Sequence, residues 1–313
     1  MAQDCSDNEH LSDALQKVPT PLLPDMVFCG LLFVLHAVTA TALRLRNGTA
    51  GHRDLVLADV PFNFGITISK VAGLGQGKDW AQQTEAYFKL VHMAREPREV
   101  GWEAVRSQAQ SNAEIWGALN PDLRAPSAIT GCPLHNTPQK WWPRPLAERY
   151  FGNKTVFGIL RDPYERLVSF HRDPDFFPDC DVNQAVKNTL KHYLAGNRFA
   201  QGCRFLPQAE FFDAPYGISE PIDIRKFPES ANTLLEQHGY NNTHMVMEDV
   251  LRAGGCPDVW AGDLDSETRQ LVRHVYARDF DLLCQHFGYC NREEVMCLAH
   301  IPGMCPPAHL QGN

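Results

Sequence analysis

The clearest hydrophobic pattern in the chain is a short run, TVFGIL at 155–160, that contains no charged residue. A β-branched, uncharged run of this length predicts a strand that is covered on both faces of a parallel sheet. Arg161 follows the run directly. Asp162, Pro163 and Glu165 then form a helix-start pattern with a capping box, in which Asp162 is the N-cap. The stretch therefore predicts a strand, a sharp turn and a capped helix, which together are typical of half a nucleotide site.

A second unit of the same kind is predicted upstream. Residues 64–69 have the pattern of a strand, 70–77 that of a glycine-rich turn, and 78–95 that of a helix with one apolar face. In such a unit, peptide N–H groups point into a concavity and the helix start favours negative charge. The pattern predicts a second phosphate-binding half-site.

The remaining periodic segments predict packing elements. They are a helix at 102–119, a helix from 182 to about 196 capped by Asp181 and Gln184, a strand at 221–227, a helix over ANTLLEQHGY (231–240), and a terminal helix at 265–289 that Gly288 ends. The apolar stripes of these helices indicate a core, not a binding surface.

Composition places these elements in one catalytic domain with tails. The chain has 313 residues, of which 44% are hydrophobic, and this is enough for a sizeable core. The net charge of −8 and the lack of a long basic run argue against bulk nucleic-acid binding. Basic residues do crowd the segment 140–172, so either a local basic cleft or a solvated basic face is expected there.

The first 53 residues give conflicting indications about compartment. Residues 1–25 are acidic and polar and predict a disordered tail. Residues 26–43 lack Asp, Glu, Lys and Arg and would span about 27 Å as a helix, so they predict either a marginal membrane anchor or a buried core helix. Three arginines follow this segment and only Lys17 precedes it, and this charge pattern would keep the following domain cytosolic.

Cysteines and sequons favour a secretory lumen instead. The chain has ten cysteines and three Asn-x-Ser/Thr sequons, at Asn47, Asn153 and Asn241. We therefore expect a lumenal domain. In the tail at 291–313 and just before it, the spacing of Cys290, Cys297, His300 and Cys305 matches no standard zinc pattern, so disulfides or free thiols are expected.

The stretch RDPYERLVS at 161–169 resembles the 3′-phosphate-binding motif of sulfotransferases that use 3′-phosphoadenosine 5′-phosphosulfate, and it is most similar to the membrane-bound Golgi branch that acts on carbohydrate. Segments at 128–138, 203–212 and 221–227 resemble parts of the same branch in the same order. The resemblance covers about 55–290. It implies an α/β, P-loop-like sulfotransferase fold with a central parallel sheet flanked by helices, and a donor site at the strand ends.

The resemblance also implies roles for single residues. Arg161 and Ser169 would bind the 3′-phosphate of the donor, while Arg166 would brace the turn. The segment ISKVAGLG resembles the 5′-phosphosulfate loop, in which Lys70 would stabilise the leaving phosphate oxygen. The backbone of this loop would bind the donor through Lys70, Val71, Ala72, Gly73, Leu74 and Gly75. Leu74 and Gly75 stand where the family usually places hydroxyl residues, which predicts weakened donor binding.

His135, in a segment with ThrPro after it, is similar to the acceptor-side histidine of the branch. An imidazole with a pKa near 6.5 suits a general base that takes the hydroxyl proton of the acceptor. Gln208 and Arg204 would either line the site or belong to a loop packed on the core. No metal is expected, since Lys70 and peptide dipoles can balance the charge of the leaving group.

The expected function is in-line transfer of a sulfuryl group from the donor to a carbohydrate hydroxyl of a glycan or glycoconjugate. One alternative is a degenerate, non-catalytic protein of the same fold that binds a glycan or nucleotide. Another is a P-loop kinase that uses Lys78 as its phosphate ligand and Asp162 as its Mg²⁺ carboxylate. Asp79 stands where a Walker A loop needs Ser or Thr, which counts against the kinase.

Overall fold

A computed structural model of the protein describes residues 54–74, 116–172, 179–241, 243–250, 256, 258–306 and 309. The expected tail at 1–25, anchor at 26–43 and helix at 78–95 lie outside these ranges. Within them, no helix is long and apolar enough to cross a membrane.

The centre of the fold is a three-stranded parallel sheet. Its strands are β1 (Leu55–Leu57), β2 (Thr155–Leu160) and β3 (Glu220–Asp223), in the order β1-β2-β3. Val56 pairs with Val156, and Ile159 pairs with Ile222. The expected strand at 155–160 is confirmed as the central one, and the structure is α/β with a parallel sheet and flanking helices.

The strand expected at 64–69 is wrong, because Gly65–Leu74 forms helix α1. Ile66, Thr67 and Ile68 have high β propensity, but their burial follows a helix. Ile66 is exposed, whereas Thr67, Ile68 and Val71 are buried, which is the spacing of one helix face. The strand that feeds this helix is the earlier run β1, and residues 58–64 form the loop between them.

The described part of the chain contains six further helices. They are α2 (Arg144–Tyr150), α3 (Pro163–His171), α4 (Val182–Leu194), α5 (Glu229–Gln237), α6 (Ser266–Val275) and α7 (Ala277–Phe287). The expected start of α4 is confirmed, since the Asp181 carboxylate accepts a hydrogen bond from the Gln184 N–H at 3.0 Å. The strand expected at 221–227 is shorter than predicted, because the chain enters a 3-10 turn at Ile224–Lys226.

The terminal helix expected at 265–289 is two helices. The break lies at Tyr276, which leaves helical geometry at φ −106° and ψ 27°. Its buried hydroxyl donates to the Phe205 carbonyl at 2.8 Å, so a tertiary contact fixes the break. Gly288 ends α7 in the left-handed region at φ 77°, as expected. Of the helix expected at 102–119, only 116–119 is described, and Gly117–Leu119 there is a 3-10 turn.

Two large hydrophobic clusters form most of the core of the described fold, and a smaller one contains Cys132, Cys203 and Leu206. One packs on the sheet and includes Val56, Trp116 and Phe157. The rings of Trp116 and Phe157 meet edge to face, with 5.1 Å between their centres. The other fills the space between α3, α4, α6 and α7 and includes Val168 and Val186. The carboxyl edge of the sheet lies where the loop after β1 and the start of α3 join these clusters.

Four disulfides cross-link the described residues: Cys132–Cys203, Cys180–Cys256, Cys284–Cys290 and Cys297–Cys305. The tail cysteines are therefore disulfide partners. The part of the chain that the structure describes contains no cluster of His, Cys, Asp and Glu able to hold a metal ion. This number of disulfides suggests an oxidising environment, such as a secretory lumen or the extracellular space.

The first prediction concerns Asp279 on α7. Its fully buried carboxylate accepts hydrogen bonds from the backbone N–H groups of Gln208, at 2.9 Å, and Ala209, at 2.8 Å. Asp279→Ala leaves both donors without this acceptor in the core, and we expect a loss of roughly 3 kcal/mol in the free energy of unfolding. Denaturant titration measures it.

Asp281→Ala is the matched control, since the Asp281 carboxylate lies exposed on the same helix and pairs with Arg292 at the surface. It should cost well under 1 kcal/mol. Equal losses in the two variants would show that Asp279 does not hold the 208–209 segment.

Candidate functional site

The candidate site lies at the carboxyl edge of the sheet. β1 leads into the loop at 58–64 and then α1, and β2 leads into Arg161 and then α3. Because β1 and β2 are parallel neighbours, these two strand-to-helix connections meet at one edge. Ligands of open α/β sheets bind at such edges. We use "candidate site" for the 58–64 loop, Arg161 and the first turn of α3.

Arg161 is only 1% exposed and braces the two connections against each other. Its Nη1 donates to the Phe62 carbonyl at 2.5 Å, and its guanidinium lies 4.9 Å from the centre of the Phe64 ring. Burial lowers the pKa of Arg161 to about 10, so the side chain stays charged at neutral pH. Its buried Nε–H has no hydrogen-bond partner among the described residues, which leaves one donor for an anion.

Glu165 does not complete the expected capping box. Its Oε1 instead accepts from Arg172 Nη1 at 2.8 Å and lies 3.3 Å from Arg161 Nη2. All three side chains are buried. Burial raises the pKa of Glu165, while Arg172 and Arg161 oppose the rise. Two buried guanidinium groups therefore share the Glu165 carboxylate, which balances the charge of Arg161 only in part.

Asp162 is confirmed as the N-cap of α3. Its Oδ1 accepts from the backbone N–H groups of Tyr164, at 2.9 Å, and Glu165, at 3.1 Å. Burial raises the pKa of Asp162 to about 6. A phosphate that used these two N–H groups would have to displace the carboxylate of Asp162.

Ser169 and Arg166 lie further along α3. Ser169 is half-buried, about 10 Å from the helix start. Arg166 braces the surrounding loops, as expected: Nε donates to the Pro61 carbonyl at 3.0 Å, and the two Nη atoms donate to the carbonyls of Leu206 and Arg204 at 2.9 Å.

Gln208 belongs to a packed loop and is fully buried at the end of β2. Its Nε2 donates to the Arg161 carbonyl at 2.7 Å, and its Oε1 accepts from the Arg161 N–H at 3.0 Å. The same Oε1 accepts from Asn63 Nδ2 at 2.5 Å. Asn63, in the 58–64 loop, was not identified from the sequence, because its partner is 145 positions away along the chain.

The expected 5′-phosphosulfate loop is not a loop in the structure. Lys70, Val71, Ala72, Gly73 and Leu74 all belong to α1, where peptide N–H groups bond to carbonyls four residues earlier. They therefore do not form an open cradle, and Val71 and Ala72 are core residues. Lys70 is half-buried on α1. Gly75 lies outside the described residues.

The loop that does stand at the strand end, 58–64, contains no lysine or arginine, and its one charged residue is Asp59. A Cβ atom added at Gly65 would lie 1.8 Å from Asp59 Oδ1, so the carboxylate occupies the space against the start of α1. Asp59 Oδ2 accepts from the Ala118 N–H at 3.2 Å. Burial raises the pKa of Asp59 to about 7. The burial of Asp59 could not be predicted from a local pattern, because it depends on the distant segment 117–118.

His135 and Asp59 both line a small cavity at the end of β1, which has room for a single water molecule. The His135 Nδ1 lies 3.0 Å from the Leu123 carbonyl. A carbonyl only accepts, so Nδ1 carries the proton and Nε2 is the acceptor nitrogen. Burial lowers the pKa of His135 to about 4, so it is neutral at pH 7 and a weaker base than expected.

Gln139 lines the same cavity. Its side chain is buried, and neither amide atom has a hydrogen-bond partner in the described part of the chain. A water molecule in the cavity would find polar partners in Gln139, Asp59 and His135.

Comparison with protein-family models, with curated proteins and with solved structures finds no match to this chain. The chemistry of the site therefore has to be argued from its own residues.

The second prediction concerns pH. Asp59 has a folded pKa of about 7 against an ordinary value of 3.8, so the folded state keeps this proton where the unfolded chain has lost it. The stability that this group contributes is complete below about pH 4 and is lost as pH rises towards 7. Asp59→Asn removes that loss. Between pH 4 and 7 its free energy of unfolding should rise by up to about 4 kcal/mol relative to the native protein.

Urea titrations at half-unit pH steps measure this difference. Asp122→Asn is the control, because it changes an exposed acid next to Leu123. Its stability profile should follow that of the native protein. Parallel profiles for Asp59→Asn and the native protein would show that Asp59 titrates normally.

Proposed function

We propose that this protein is a sulfotransferase that moves a sulfuryl group from 3′-phosphoadenosine 5′-phosphosulfate to a carbohydrate hydroxyl. One observation carries the proposal: the RDPYERLVS motif stands at the carboxyl end of the central parallel strand, with Arg161 at the strand end and Ser169 on the next helix. A P-loop-like sulfotransferase fold and a Golgi lumenal location belong to the same proposal, and the parallel sheet and four disulfides are compatible with them.

In this proposal Arg161 and Ser169 bind the 3′-phosphate, and the unpartnered Nε–H of Arg161 is the first donor available to it. The acceptor hydroxyl oxygen attacks sulfur in line while the bond from sulfur to the bridging phosphate oxygen breaks. The hydroxyl proton passes to His135 Nε2. Lys70 balances the charge that develops on the leaving phosphate.

A second candidate, binding without transfer, is favoured by a specific observation. The strand-end loop at 58–64 places the carboxylate of Asp59, and no cation, against the start of α1. When ionised, that carboxylate repels the 5′-phosphosulfate of a donor. A degenerate protein of this fold could still bind the product nucleotide or a glycan.

The third prediction tests the nucleotide site. Calorimetric titration of the purified protein with 3′-phosphoadenosine 5′-phosphate should give micromolar binding. Ser169→Ala should weaken it roughly tenfold or more through loss of one charge-assisted hydrogen bond, and Arg161→Ala more strongly. Arg149→Ala, at an exposed arginine on α2, should bind as the native protein does.

Because Arg161 is buried, Ser169→Ala is the variant that separates ligand loss from misfolding. A folded native protein that binds no nucleotide contradicts the donor site. Binding of ATP with Mg²⁺ alone would favour the kinase, and nucleotide binding without transfer to any glycan would favour the second candidate.

The fourth prediction separates chemistry from binding. His135→Ala should lower the rate of transfer by about 10²-fold or more and leave nucleotide affinity unchanged, since a general base acts only in the reaction. Transfer assayed at saturating donor measures this. An unchanged rate in His135→Ala would remove the histidine from the mechanism and leave Asp59, in the same cavity, as the base to test.

A further inference from the structure

A second concave feature, a groove of about 510 Å³, lies along α4. We use "α4 groove" for the space between α4 and the segment 197–205. Its volume is in the range of small-ligand sites, while the cavity at His135 holds only one water. The α4 groove is therefore the larger of these two spaces.

One wall of the α4 groove is a polar stripe. Gln184, Asn188 and His192 lie four residues apart on α4, so they share one face and extend about 12 Å along the helix. All three are exposed, whereas the opposite face of α4 packs in the core. Gln184 Nε2 donates to Asn188 Oδ1 at 2.8 Å, and each amide keeps further donor and acceptor capacity, which makes this wall suited to the hydroxyl groups of a sugar chain.

The opposite wall, formed by the segment 197–205, supplies a guanidinium group and an aromatic ring. Arg198 is 49% exposed, and its link to Glu210 is long, at 3.4 Å, so its guanidinium can engage a ligand. The guanidinium lies 5.7 Å from the ring centre of Tyr193. Phe205 on this wall and Tyr193 on α4 supply apolar surface of the kind that sugar ring faces contact. Arg198 and His192 lie at the carboxyl end of the groove, and Asp181 lies at its other end, where it caps α4.

Two disulfides fix the borders of the α4 groove. Cys180 itself lines it and is bonded to Cys256, and Cys203 in the facing segment is bonded to Cys132. A groove with fixed walls loses little conformational entropy of its own when a ligand binds, and this favours affinity.

We infer that the α4 groove binds a sparsely charged glycan, with hydroxyl and amide groups of the sugars along Gln184, Asn188 and His192 and one carboxylate of the chain beside Arg198. The overall charge of −8 would disfavour a densely charged polyanion. One anionic group placed beside one guanidinium avoids that repulsion.

The α4 groove adjoins the segment that carries His135. A Cβ atom at Gly202 would lie 3.6 Å from Pro133 Cδ and 4.0 Å from Asn136 Nδ2, which flank the histidine on both sides. The charge of Arg204 contributes to the lowered pKa of His135. The assignment of the bound glycan as the acceptor rests on the proposed function. The inference that the α4 groove binds a glycan does not depend on it.

The fifth prediction uses the full chain with its disulfides intact and no nucleotide. The probe is a hyaluronan hexasaccharide, which alternates uronate and N-acetylated sugars, and the matched ligand is the same chain with its carboxylates reduced to alcohols. Calorimetry should show the acidic chain binding roughly tenfold more tightly. Arg198→Ala should abolish that preference, and Asn188→Ala should weaken both ligands. Lys191→Ala, an exposed cation on α4 outside the groove, should change neither.

Titration of the same samples with 3′-phosphoadenosine 5′-phosphate separates this inference from the proposed function. Glycan binding without nucleotide binding would support the groove and contradict the donor site. Nucleotide binding with no binding of either hexasaccharide would overturn the groove alone. Equal affinity for both chains, or affinities unchanged by Arg198→Ala and Asn188→Ala, would also overturn it. Near-ultraviolet circular dichroism of each variant verifies that these exposed substitutions leave the fold intact.

Discussion

The organisation of the carboxyl edge depends on a buried positive charge at the end of the central strand. Arg161 cannot reach water, so the fold must surround its guanidinium with acceptors. The Phe62 carbonyl and the Glu165 carboxylate supply them. Removal of one partner of such a pair typically costs about 3–5 kcal/mol, because it leaves an unbalanced charge in the core. The path of the 58–64 loop and the direction of Glu165 both follow from this requirement.

The same contacts determine which partners a phosphate would have to displace in order to bind. Arg161 shares the Glu165 carboxylate with Arg172, and the N–H groups of Tyr164 and Glu165 at the start of α3 are satisfied by Asp162. A phosphate would exchange one set of partners for another, so its affinity would be the difference between two charge-assisted networks. Because Arg161 also holds Phe62, that exchange would couple to the loop that carries Asp59. Occupation of the proposed 3′-phosphate site would thus be coupled to the position of Asp59.

Features that short stretches determine could be predicted from the sequence. The strand at 155–160, the Asp162 cap and the α4 helix depend on neighbours within a few residues. The expectation of a strand at 64–69 is wrong, because the packing of α1 on the core outweighs the β propensity of Ile66–Ile68. Glu165 does not form the expected capping box, because its carboxylate binds the guanidinium groups of two arginines instead. Burial raises the pKa of Asp59, and the segment 117–118 that packs against its carboxylate is too distant in sequence for a local pattern to encode the contact.

The disulfide pattern connects compartment with chemistry. Cys132 lies three residues before His135, and its partner Cys203 lies in the segment that faces α4. The bond closes a loop of 71 residues and restricts the unfolded chain, an effect that models place at several kcal/mol. It also fixes His135 and the α4 groove to one rigid unit. In a reducing compartment this link would open, and the distance between the two would be set by noncovalent contacts alone. An oxidising environment therefore helps to hold the geometry of the proposed acceptor side, in addition to being compatible with the cysteine content.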